Sequence, residues 1–261
     1  MIKPLVISAP FGNYIQPEGA TATLGTFTLK PRPGRAWAIL SRIWAYPSMG
    51  GYVNKIGLRN PGIESLADEY LGEKIVSIHG FSTDDWLELI AALRKFSPEA
   101  VELNFSCPNV TDDPVDYYTV IMAAKKMKVD GLEVIVKLPP VDFEKIVRQS
   151  MSAGVFFFHA CNTLPMPNGG MSGRPLKRFS LHVIRHLRKM LGEDCEIIGG
   201  GGVFCVDDIR DYYCAGADHV AVGSALLNPW RALTVSRLVR GAARGVGRPS
   251  FHGCPTYETC S

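Results

Sequence analysis

From about residue 75 the chain alternates between two kinds of hydrophobic pattern. Short β-branched runs fall at 75–78, 101–104, 134–138, 155–159, 196–198 and 219–222, the length of buried strands. Amphipathic stretches separate them at 83–95, 116–128, 142–152, 180–191 and 206–215, and a last one follows at 230–244. Strand–helix–strand at this rhythm means parallel pairing through right-handed crossovers. Two earlier strands, at 5–8 and 21–29, bring the set to eight, which closes naturally as an α/β barrel of the (β/α)8 TIM type. A doubly wound open sheet is the alternative.

Local signals fit these elements. Ser82-Thr-Asp-Asp85 offers capping oxygens to the helix that follows, and Asp207 and Asp208 place acids in the first turn of another, where the helix dipole favours them. The first crossover is different. Only about nine residues, rich in Pro, Gly and Ala, separate the first two strands, and a helical crossover needs a dozen or more. The first barrel helix is therefore expected to be shortened or absent, leaving that flank open or covered by another part of the chain. An aromatic stretch at 37–46 and a Gly/Asn/Pro-rich segment at 47–62 insert after the second strand, and 62–70 reads as a short helix. The chain reads as one domain over residues 1–261, with 250–261 a flexible tail.

Barrel enzymes carry their chemistry at the C-terminal ends of the strands. Here those ends hold glycines, carboxamides, a thiol and a lysine. Val101-Glu-Leu-Asn-Phe-Ser-Cys-Pro-Asn109 begins as a strand, and Pro108 forces the chain out of it. Cys107 thus stands between Asn104 and Asn109, whose carboxamides match the imide edges of a planar heterocycle. Lys137 ends an apolar strand, where it either reaches solvent or offers a cation to a ring that becomes anionic. Ile198-Gly-Gly-Gly-Gly-Val203 and Val222-Gly-Ser-Ala225 bring backbone N–H groups to where a phosphate would sit, although tight turns alone would also use glycine. Asn162-Thr163 ends another strand and leads into 167–173, read as a mobile loop. No His/Asp/Glu cluster falls at the strand ends, so no metal is expected.

Composition narrows the class. With 261 residues, 46% hydrophobic, the chain can bury a large core, and a formal charge of +3 makes no demand for a polyanion. No run approaches a membrane span, and no N-terminal signal is evident. Seven scattered cysteines suit a reducing compartment, and the cytoplasm is expected. The arginines and lysines of 177–189 and 237–244 read as solvated helix faces, so neither nucleic acid nor membrane is an expected partner.

As a set, Asn104-Phe-Ser-Cys-Pro-Asn109, Val136-Lys-Leu-Pro-Pro140, Asn162-Thr163, Gly169-Gly-Met-Ser-Gly173 and the two glycine loops resemble, in order, the motifs of dihydroorotate dehydrogenases. Thr28-Leu-Lys-Pro-Arg-Pro-Gly34 and Asn54-Lys-Ile-Gly-Leu-Arg-Asn60 look like that family's second-strand and substrate-loop segments. The resemblance runs from about 5 to 245 and implies an FMN-bearing barrel that oxidises dihydroorotate to orotate. Cys107 would then take the C5 proton, as in the soluble cysteine class, while C6 passes hydride to flavin N5. Asn54, Asn104, Asn109, Asn162 and Thr163 would hold the pyrimidine, with backbone contacts from Gly57 and Leu58. Lys137 would face the flavin ring. Ala9, Gly12, Thr26, Asn104, Cys161, Gly173, Gly201, Gly202, Gly223 and Ser224 would complete the FMN site. Gly25 stands where the family carries a lysine, and Lys55 is the cation that would replace it. A homodimer or an electron-transfer partner subunit is implied. Three other readings remain: a flavin enzyme for another cyclic amide or enone, a catalytically altered flavin-binding subunit, and a phosphate-sugar barrel without flavin.

Overall fold

The computed structural model describes residues 1–68, 70–106, 114–127 and 132–245. Its strands are β1 (Leu5–Ile7), β2 (Ala20–Phe27), β3 (Ile43–Tyr46), β4 (Gly51–Asn54), β5 (Ile75–Ile78), β6 (Ala100–Asn104), β7 (Glu133–Leu138), β8 (Phe157–Ala160), β9 (Leu164–Met166), β10 (Gly169–Gly173), β11 (Glu196–Gly200) and β12 (His219–Val222). The helices are α1 (Arg35–Ser41), α2 (Thr83–Leu93), α3 (Tyr117–Lys126), α4 (Glu144–Ser152), α5 (Arg174–Leu191), α6 (Val206–Ala215), α7 (Pro229–Leu233) and α8 (Ser236–Arg244). Eight strands close a barrel in the order β1-β12-β11-β8-β7-β6-β5-β2, with β2 back against β1 and every pairing parallel. The expected barrel is therefore the observed one, and the eight expected strands are its staves.

Alternation along the strands sorts the barrel interior into two levels, because every second residue of a strand points inward. Ile2, Val6, Ile75, Ala100, Ile135, Phe157, Ile198 and Ala221 form a separate apolar cluster that plugs the N-terminal end. Two residues further along their strands come Ser77, Glu102, Lys137 and His159, all buried. The floor is thus apolar and the level above it polar. The larger core lies outside the barrel wall, between strands and helices. Trp86, Leu89 and Leu93 of α2 belong to it, as do Val183, Ile184 and Leu187 of α5.

The first crossover holds a single 3-10 turn, Phe11–Asn13, and no helix. The flank this leaves is covered by α8, which packs against β1. Tyr213 of α6 ties the same corner, its hydroxyl donating to Ala242 O at 3.3 Å and Pro4 O at 3.4 Å.

Several elements differ from the sequence reading. The segment at 167–173 is no loop: Gly169–Gly173 is strand β10, hydrogen-bonded to β4 and β9 in a second, antiparallel sheet ordered β3-β4-β10-β9. That sheet unites two insertions far apart in sequence, a long-range pairing that turn residues alone do not reveal. Residues 62–70 give a 3-10 helix over Ile63–Asp68. Helix α5 begins at Arg174, earlier than its apolar periodicity, because Pro175 suits a first turn and Leu176 is buried. The terminal stretch at 230–244 divides into α7 and α8 around Thr234, whose hydroxyl donates to Trp230 O at 2.8 Å. Among the described cysteines, Cys161, Cys195 and Cys205 carry thiols outside any disulfide, whereas Cys214 is in a disulfide. The tail expected at 250–261 lies outside the described residues.

Candidate active site

The second sheet sits beside the C-terminal mouth of the barrel and makes a wall there. Between it and the strand ends run two adjoining clefts of about 170 Å3 and about 140 Å3, which share Ala9, Pro10, Asn54, Ile56, Lys137, Asn162 and Thr163. The larger extends over Ser8, Cys161, Gly200, Gly201, Gly202, Gly223 and Ser224. The smaller extends over Thr26, Arg35, Gly57, Leu58, Arg59 and Asn104. Lys137 stands where the two meet.

At the glycine end, the backbone is shaped for close approach. Gly201 and Gly202 both have positive φ, at 118° and 71°. A Cβ on Gly202 would lie 2.8 Å from Gly173 O, so the start of α5 can pack there only against glycine. Among the described residues no acceptor takes up the N–H of Gly202 or of Gly223. Two unpaired donors at the mouth of strands β11 and β12 are what a phosphate group would complete.

From the floor upward, the polar side chains form one connected chain. His159 Nδ1 lies 2.6 Å from Glu102 Oε2, and Ser77 Oγ donates to Glu102 Oε1 at 2.7 Å. Ser77 Oγ is 2.9 Å from Thr26 Oγ1, which accepts from Asn104 Nδ2 at 3.1 Å. Asn104 Oδ1 accepts from Asn162 Nδ2 at 2.8 Å, and the same amide donates to Ser106 O at 2.7 Å. Asn162 Oδ1 then accepts from Thr163 N at 2.9 Å. Each carboxamide is held in one orientation by the next, so the pair can present fixed polar edges to a ring.

Charge in this level is balanced internally. Glu102 is fully buried, with Lys137 Nζ at 3.4 Å from its Oε1. Burial alone would raise its carboxyl, but the Lys137 ammonium, His159 and the Ser77 hydroxyl outweigh that and hold it well below the usual carboxylate range. His159 is pushed down by burial and by Lys137, against the pull of Glu102, and stays neutral at pH 7. Burial pushes the Cys161 thiol up to about 12, with a Ser180 hydrogen bond and Lys137 opposing, so it is an inert wall residue and no nucleophile.

Most of the residues singled out from sequence converge here. Asn54, Asn104, Asn162, Thr163, Gly57, Leu58, Thr26, Ala9, Lys137, Cys161, Gly201, Gly202, Gly223 and Ser224 line one cleft or both. Gly12 and Gly173 support them from behind: a Cβ on Gly12 would meet Thr23 O at 2.3 Å, and Gly173 backs Gly202. Cys107 and Asn109 lie outside the described residues. Lys55 is exposed and does not line the cleft. The cations that do are Lys137, Arg35 and Arg59. Gly25 cannot bear a side chain in this backbone, with φ of 107° and Ser77 O 2.4 Å from where its Cβ would be. Asn13 pins it, donating to Gly25 O at 3.0 Å and accepting from Gly25 N at 3.1 Å.

Sequence reading missed Glu102 and His159. Both sit inside apolar-looking strands, and the period-two rule applied to Asn104 would have pointed to Glu102 as an inward residue.

Comparison with known proteins agrees with the geometry. The family model for dihydroorotate dehydrogenase matches residues 13–239. The catalytic subunit of dihydroorotate dehydrogenase B (NAD(+)) from Alkaliphilus metalliredigens is 30% identical over 88% of this chain and 84% of its own. The corresponding subunit from Oceanobacillus iheyensis is 31% identical over 67% of this chain and 66% of its own. A crystal structure of DHODH in complex with ferulenol from Eimeria tenella superposes with a TM-score of 0.74 at 19% identity, over 96% of this chain and 83% of that one, and so shares the fold. This chain belongs to the dihydroorotate dehydrogenase family of oxidoreductases.

Proposed function

We propose that the protein binds FMN along the larger cleft and oxidises dihydroorotate to orotate in the smaller one. The observation that carries this reading is the meeting of two different ends at Lys137: glycine donors suited to a phosphate on one side, and locked carboxamides suited to an imide on the other. Gly202, Gly223 and Ser224 would hold the phosphate of FMN, and Lys137 would face its ring. When bound, FMN supplies the hydride acceptor for the C6 hydrogen.

The chain's own residues do the rest. Asn54, Asn104 and Asn162 bind the pyrimidine edges, and the Asn162–Asn104 hydrogen bond fixes the orientation of two of them. Lys137, buried and paired, places positive charge where negative charge develops on that ring. Cys107 follows Ser106, whose carbonyl takes a hydrogen bond from Asn162. In this reading Cys107, as thiolate, removes the C5 proton, and loss of that proton with the C6 hydride leaves the C5–C6 double bond of orotate. Asn109 joins the other three carboxamides. The relatives from Alkaliphilus and Oceanobacillus are named catalytic subunits of NAD(+) enzymes, which supports a separate subunit that carries electrons onward from this chain.

The test is aerobic turnover. The purified protein should be yellow, and with dihydroorotate and an artificial dye acceptor it should release orotate, with Cys107→Ala reducing the rate at least ~100-fold, the range a general base supplies. A colourless protein with no affinity for FMN would contradict the proposal.

A further inference from the structure

We infer that Arg35 is a specificity-determining residue of the smaller cleft, one that recognises a carboxylate on the substrate ring. The inference rests on the proposed dihydroorotate reading and deepens it. Arg35 opens α1 and lines the cleft next to Thr26 and Asn104. Its guanidinium is held in place by three neutral acceptors: Nε donates to Arg59 O at 2.8 Å, Nη1 to Tyr14 Oη at 3.2 Å, and Nη2 to Gly25 O at 3.3 Å. A guanidinium has one N–H on its inner nitrogen and two on each outer one, so Nη1 and Nη2 each keep an N–H for a further acceptor.

Charge accounting points the same way. Lys137 is balanced by Glu102, and His159 is held neutral. Among the described residues no carboxylate lies within ion-pair distance of Arg35 or of Arg59, its neighbour in the cleft. A half-buried guanidinium whose position is fixed but whose charge is unanswered is a site for an anion, since pairing there recovers the cost of desolvating it. The carboxamides satisfy the ring's amide edges. The guanidinium is left for the group that distinguishes orotate from uracil.

Calorimetric binding of orotate and of uracil to the FMN-loaded protein tests this, because the two ligands differ only in the carboxylate. The wild type should prefer orotate, and Arg35→Met should reduce that preference at least ~10-fold while changing uracil affinity little. Arg35→Lys, which keeps the charge but loses the fork, should retain part of the preference and shows whether loss in Arg35→Met reflects charge. An orotate-to-uracil ratio unchanged in Arg35→Met overturns the inference and leaves the dihydroorotate reading standing. A wild type that binds uracil as tightly as orotate overturns both.

Discussion

Lys137 Nζ lies 3.4 Å from Glu102 Oε1 inside the barrel, with both side chains buried. The two come from neighbouring strands, β6 and β7, and Glu102 is also held by His159 and Ser77. Glu102 thus keeps an ammonium ion at the meeting point of the two clefts without a net charge in the core. Removing one member of such a pair strands the other, which costs about 3–5 kcal/mol. Glu102→Gln should therefore destabilise the protein by roughly that amount in urea unfolding. A second change, Lys137→Met, introduced on top of it should recover part of the loss. Additive effects would show that the pair is not coupled.

Acid should weaken the fold through the same group of residues. Glu102 titrates lower in the folded protein than in the unfolded chain, so its contribution is complete above about pH 4.3 and fades as pH falls through its folded value. His159 is also held below its ordinary value, so below about pH 6.5 the unfolded chain takes up a proton that the folded protein refuses. Both effects lower stability with falling pH. The urea midpoint should decline from about pH 6.5 downward, and His159→Asn should flatten the upper part of that decline. A midpoint independent of pH between about 4 and 7 would contradict the charge assignment.

Asn162 offers a test that separates binding from folding. Its amide N–H groups face Asn104 Oδ1 and Ser106 O. In Asn162→Asp an acceptor replaces the donor opposite two acceptors, and the carboxamide pair loses its lock. Substrate KM should rise by about 10-fold or more, the equivalent of one charged or buried hydrogen bond, with FMN retention unchanged. Equal loss of FMN would place Asn162 at the cofactor and not at the substrate.

Gly202→Ala probes the phosphate end. The new Cβ would press on Gly173 O at 2.8 Å with φ at 71°, so the loop must move where the proposal places phosphate. Purified Gly202→Ala should carry less FMN than the wild type, while riboflavin, lacking the phosphate, should bind both proteins alike. Undiminished FMN content would remove the phosphate from this loop.

Much of this was legible in the sequence because the barrel imposes regular spacing. Strand ends could be read from β-branched runs, and the ends collected Asn104, Lys137, Asn162 and the glycine loops with no structural input. What escaped depended on contacts distant in sequence. β10 pairs with β4 across more than a hundred residues, and no local pattern in Gly169–Gly173 announces a strand. Glu102 and His159 were hidden by their apolar neighbours. Arg35 follows Pro33-Gly34 outside any motif, and its hydrogen bonds to Arg59, Tyr14 and Gly25 fix it at the cleft. Lys55, the more obvious cation in the substrate loop, faces solvent.

Anaerobic titration of the FMN-loaded protein with dihydroorotate addresses the central claim most directly. The account predicts that the oxidised-flavin absorbance bleaches with about one equivalent of dihydroorotate per flavin and that orotate appears in equal amount. A flavin that stays oxidised under excess dihydroorotate, in a protein that does bind FMN, would contradict it.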